Sequence, residues 1–183
     1  MRECPAPLLL TTGNTWHPRA RFAVAIDPID QRPGAAGRCK AVLAVASSLR
    51  LTCAADLDLI YAEPTLAAGS APEGESPAQL RLSQLADDFE LDTQRLHLLS
   101  GNPRHVLSQF ILARGYDLLL IGAPAQAAPV SGLNGSPLAR SLANLEIDLL
   151  TVPDGQSRAS SMLAGRQGFR WDSAPLWQWL GAD

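Results

Sequence analysis

Two places in this sequence hold residue types that could bind an anion or carry acid-base chemistry. The first is Asp27-Pro28, a carboxylate at the end of the apolar run from Arg21 to Ile26. The carboxyl end of a strand is where open α/β sheets place ligand-binding groups. Asp-Pro is equally a common turn starter, its carboxylate accepting from nearby backbone N–H groups, so both readings stand. The second place is Gly135-Ser136-Pro137, where Ser136 suits a helix N-cap and Pro137 the first helical turn. Unpaired N–H groups and the helix dipole favour an anion there, although many such loops are only tight turns. Catalytic machinery is thinner. Near these residues only Asp27, Ser131 and Ser136 could act as base or nucleophile, and none has a visible activating partner. His105 lacks a paired acid or nucleophile, and His17 and His97 carry no better signal. The sequence contains no G-x-S-x-G elbow, no Walker lysine and no H-E-x-x-H. Asp87, Asp88 and Glu90 have no histidine at ligand spacing, and read as a solvated helix face rather than a metal site.

The elements that must position these residues follow from the apolar pattern. Leu118 to Ile121 is uninterrupted, bounded by Asp117 and Gly122, as in a strand buried on both faces of a parallel sheet. After the Gly-, Ala- and Pro-rich loop, Leu138, Leu142 and Leu145 recur at helical spacing before a second apolar run, Ile147 to Val152. That is a βαβ unit. Upstream, Cys39, Val42, Ala46 and Leu49 share one helical face. A strand within 54–62 alternates Leu57, Leu59 and Tyr61 with Asp58 and Ile60, which predicts a shallower position in the sheet. Residues 64–77 read as a long loop, and a helix from Leu80 to Phe89 turns Leu82, Leu85 and Phe89 inward. Arg95 to Leu99 reads as a third strand. Asn102-Pro103 then opens a helix with Val106, Phe110 and Ala113 toward the core, Leu107 and Ile111 widening the stripe, and Gly115 closing it. Five strands alternating with four helices predict a doubly wound α/β domain with helices on both faces of the sheet.

The spacing Gly122, two residues, Ala125, nine residues, Gly135-Ser136 resembles the phosphate and ribose loop of the universal stress protein family, G-x-x-G, nine residues, then G-S or G-T. Ala125 replaces the second glycine, and in this the loop is similar to the second domain of E-type tandem members. The resemblance extends to residues 23–27, 57–64, 98–107 and 117–124. It implies a flavodoxin-like, adenine nucleotide alpha hydrolase-like sheet with strand order 3-2-1-4-5. The switch point would then fall between the first and fourth strands, with the Asp27-Pro28 turn and the loop from Gly122 to Ser136 as its two lips. The implied nucleotide-binding residues are Asp27, Pro28, Gly122, Ala125, Gly135 and Ser136, and the implied ligand is ATP or AMP. Against tight binding, Ala125 adds a methyl where positive φ favours glycine. The nine intervening residues also contain no Lys or Arg, leaving Ser136 and Arg140 to face a phosphate.

Composition sets the outer bounds. A chain of 183 residues, 46% hydrophobic and 18% charged, suits one domain with a substantial core. A net charge of −3 argues against nucleic acid as a partner. Cys4, Cys39 and Cys53 form no C-x-x-C pair and read as reduced thiols of a cytoplasmic protein. No apolar run is long enough for a membrane span. Residues 1–20 are an extension, either an extra edge strand or the remnant closing strand of a preceding domain, because family members often end in a similar C-P-x-L-L stretch. The domain proper is 21–153. Residues 154–183 form a Trp-rich tail that either docks on a protein partner or folds back. The function the resemblance implies is a non-catalytic stress-response module that binds a nucleotide or related ligand at the switch point. The resemblance adds homodimerisation through the last strand, unless residues 6–11 cover that edge. The competing expectation is a ligand-free dimerisation or interaction domain with a degenerate loop.

Overall fold

The computed structural model describes residues 7–32, 34–63, 76–123 and 146–153. Its strands are β1 (Leu8–Leu10), β2 (Arg21–Ala25), β3 (Asp56–Glu63), β4 (Leu96–Ser100), β5 (Leu118–Ala123) and β6 (Asp148–Pro153), and its α-helices are α1 (Ala35–Cys53), α2 (Pro77–Asp88) and α3 (Pro103–Arg114). They form one sheet in the order β1-β6-β5-β2-β3-β4. The five strands from β2 to β6 are parallel and follow the expected 3-2-1-4-5 order, with β1 added antiparallel on β6. The edge of the last strand is therefore occupied, Leu9 facing Leu150.

Period-two alternation divides the sheet between two cores. Phe22, Val24, Leu57, Leu59, Leu118 and Leu120 face Val42, Leu43 and Ala46 of α1 and Leu82 and Leu85 of α2. Ala23, Ile60 and Leu119 face Leu107 and Ile111 of α3 on the other side. Burial on both faces explains why β5 is an unbroken apolar run. The predicted helix at 138–145 lies outside the described residues.

Three expectations need correction. β3 is as deeply buried as β5: Leu57 and Leu59 are almost fully covered, and Asp58, only 4% exposed, is buried with them. Its carboxylate is satisfied by Arg95 (Nη1 to Oδ1, 3.0 Å) and by the Tyr116 hydroxyl (2.6 Å to Oδ2), with His97 Nε2 at 3.5 Å. Burial, opposed in part by Asp58, lowers the pKa of His97. The second correction concerns α3, which buries Leu107 and Ile111, leaves Phe110 half-buried and exposes Ala113. Its orientation follows Phe110, whose ring packs 4.9 Å from His97 and 6.3 Å from Tyr116. The third is α2, which begins at Pro77, because Ser76 accepts a hydrogen bond from the Gln79 N–H at 3.1 Å.

The segment from Thr12 to Ala20 crosses beneath the amino ends of β6 and β5, held by two buried carboxylates. Asp148 accepts from the Thr12 N–H (2.8 Å), the Thr12 hydroxyl (3.0 Å) and the Trp16 indole (2.8 Å). Asp117 accepts from the backbone N–H groups of His17 (3.0 Å) and Arg21 (2.8 Å), and lies 2.7 Å from His17 Nδ1. Burial pushes the Asp117 carboxyl up, but these bonds outweigh it and hold its pKa below the usual value. Both groups stand at the end of the sheet opposite Asp27. They fix the extension and leave the carboxyl edge open.

Candidate functional site

At that carboxyl edge, β2, β3 and β5 end beside the first turns of α1 and α3 and enclose a cavity of about 300 Å³. Its floor is Ala25, Ile60 and Ile121, and its walls include Val42 of α1 and Leu107 of α3. Asp27 and Gly122 both line it, so the two segments predicted to form the lips do converge. Asp27 is exposed, and its Oδ1 accepts from the Ile29 N–H at 3.3 Å, so it also performs the turn-capping role open to an Asp-Pro pair. Pro28 stands apart. It lines a smaller depression of about 30 Å³ with Lys40, Arg81 and Leu85. Ala125, Gly135 and Ser136, together with Ser131 and Arg140, lie outside the described residues. His105 is exposed on the first turn of α3 and does not line the cavity.

Gly122 marks a close approach. A Cβ built there would meet the Cβ of Arg38 at 3.4 Å, an ordinary contact, so alanine fits while a longer side chain must enter the cavity or press on α1. The sequence reading offered only Arg140 as a cation to face a phosphate, and Arg140 lies outside the described residues. The structure supplies two, Arg32 and Arg38, from the connection after β2 and the first turns of α1. Asp30 lies between them. Arg32 donates Nε to both of its oxygens (2.8 and 2.9 Å) and Nη2 to Oδ2 (2.6 Å), and Arg38 Nη2 reaches Oδ2 at 3.2 Å. The Arg32 guanidinium therefore holds the Asp30 carboxyl far below the usual carboxylate range, against a smaller opposing effect of burial.

Tyr61 and Cys39 complete the polar lining. Burial, helped by the charges of Asp27 and Glu63, pushes the Tyr61 phenol up to about 12, so it is neutral at physiological pH. The Cys39 thiol donates to the backbone carbonyl of Asp27 at 3.4 Å, and burial raises its pKa, with the Asp27 charge adding to the shift. Chemically, the cavity can hold a small ligand with an apolar body against Ala25 and Ile121 and an anionic group near Arg32 and Arg38. Among the described residues no group of three or more His, Cys, Asp or Glu could hold a metal ion, and no helix is long and apolar enough to cross a membrane.

No family model and no curated protein sequence matches the chain. Solved structures do. A protein of Pseudomonas aeruginosa UCBPP-PA14, provisionally named a universal stress protein, superposes with a TM-score of 0.65 at 18% identity, covering 82% of this chain and 53% of that one. A universal stress protein of Archaeoglobus fulgidus DSM 4304 gives 0.59 at 14% identity, covering 83% and 51%. A universal stress protein in complex with cAMP gives 0.51 at 20% identity, covering 74% and 98%. The chain spans about half the length of the first two. The central sheet flanked by helices is thus the universal stress protein fold, to which β1 adds a sixth, antiparallel strand.

Proposed function

We propose that this chain is a stress-response module that binds a nucleotide of the ATP or AMP type in the switch-point cavity and performs no chemistry on it. The observation that carries the reading is the convergence of Asp27 and Gly122 on one cavity with two arginines in its wall. Its volume stands at the lower end of ligand pockets, which run from about 300 to 1,000 Å³. The similar structure holding cAMP supports an adenine nucleotide as the ligand class. Homodimerisation through the last strand would require β1 to leave the edge of β6, so another surface, or the tail beyond Pro153, is the better candidate for a partner.

The test is the melting temperature with and without AMP, ADP and ATP. A ligand at 100 times its dissociation constant stabilises by about 2.7 kcal/mol, a rise of several degrees for a chain of this size. Gly122→Leu, which fills the cavity, should keep the fold and lose the rise. A rise that persists in Gly122→Leu would remove the cavity as the site. One observation favours the competing ligand-free interaction domain: Asp30 already pairs with both arginines. That reading requires no rise with any of the three nucleotides.

A further inference from the structure

The Arg32 side chain is 77% exposed and could extend into water, yet it folds back on Asp30 in a bidentate pair, while the Asp30 side chain is only 7% exposed. Arg38 approaches the same carboxylate from α1 with its side chain 13% exposed, and the Arg32 N–H adds a further bond at 2.9 Å. A single carboxylate thus sits in the cavity wall under two guanidiniums and a backbone N–H. A phosphate monoester satisfies the same donors with one more oxygen and more charge, and planar guanidinium forks suit it. We propose that Asp30 is an internal stand-in for the ligand's phosphate: an anionic ligand displaces its carboxylate, and Arg38 and Arg32 then recognise the phosphoryl group. The proposal rests on the nucleotide reading of the same cavity and assigns its phosphate end.

Two consequences follow. Affinity for a nucleotide is held down by the cost of releasing Asp30 from its partners, so removal of that carboxylate should tighten phosphate binding. A nucleoside without phosphate leaves the Asp30 pairs intact, and should be indifferent to all three side chains.

Calorimetric titration of the full chain with AMP and with adenosine tests this. Arg38→Gln should weaken AMP by about 10- to 100-fold, the usual effect of losing a hydrogen bond to a charged group, while adenosine changes little. Arg32→Gln, at an exposed side chain whose loss does not disturb packing, should show the same selectivity with a smaller effect. Asp30→Asn should tighten AMP and leave adenosine unchanged. If the unaltered chain binds AMP and adenosine equally, or if Arg38→Gln and Arg32→Gln weaken both to the same degree, the proposal is overturned and the nucleotide reading stands. If the unaltered chain binds neither, both are overturned.

Discussion

Asp58→Ala is expected to destabilise the protein by about 3–5 kcal/mol, the usual cost of breaking a buried ion pair by removing one partner. Asp58 holds three groups from two later parts of the sequence: the Arg95 guanidinium and His97, two residues apart, and the Tyr116 hydroxyl. Without the carboxylate, the Tyr116 hydroxyl would be left in a site only 3% exposed, and burial already pushes that phenol far above its ordinary pKa. Arg95 is less vulnerable. Its side chain is 35% exposed, and it keeps a 2.8 Å contact with Asp56, which Arg19 also approaches at 2.8 Å. The loss should therefore come mainly from Tyr116 and the vacated space. Asp58→Asn, which retains an acceptor, should cost less than Asp58→Ala. Urea unfolding of the two variants measures both. A loss below about 1 kcal/mol for Asp58→Ala would mean that the network is worth no more than a surface ion pair.

The second large effect is expected at Asp148. Each hydrogen bond to an ionised acceptor contributes about 1.5–3 kcal/mol, and Asp148 accepts three from Thr12 and Trp16 at a position 5% exposed. Their contributions are not additive. Asp148→Ala should cost on the order of 3 kcal/mol, and the loss should be local before it is global. Trp16 packs edge-on against Phe22 at 5.3 Å, so freeing its indole loosens the end of the α1-side core. The sharper readout is amide exchange. Leu8 to Leu10 should exchange much faster in Asp148→Ala, while Leu118 to Leu120 stay protected. Unchanged protection at Leu8 to Leu10 would show that pairing with β6 alone holds β1.

How far the sequence discloses this structure depends on how local each cause is. The run Leu118 to Ile121 has one physical meaning in an α/β chain, and β5 lies in the sheet where that meaning requires. Asp27 and Gly122 were legible for a similar reason: each ends a strand, and parallel order brings such ends together. β3 was misread because Asp58 interrupts its apolar run, and the groups that make its burial tolerable lie at Arg95, His97 and Tyr116, beyond the reach of any local pattern. The start of α2 was legible but overlooked, since Ser76-Pro77 is the same cap signal that marks Ser136-Pro137. On α3, apolar residues lie on adjacent faces, and the local pattern favoured Val106, Phe110 and Ala113 where the contacts of Phe110 with His97 and Tyr116 turn Leu107 and Ile111 inward. Arg32 was missed because a polar, glycine-containing connection looks like any solvated loop, and Arg38 because a cation on the first turn of a helix looks like any solvated helix face. The available hint was positional: these residues follow directly on the Asp27 turn, at the carboxyl edge where a ligand would sit.

The most direct measurement is the alkylation of Cys39, read by mass spectrometry of its peptide, in the presence and absence of AMP. Cys39 lines the cavity with a thiol whose pKa is raised, so it should react slowly in the free protein. AMP at saturating concentration should slow it further and leave Cys53, near the far end of α1, unchanged. Labelling of Cys39 at the same rate with and without AMP would mean that the nucleotide does not occupy this cavity.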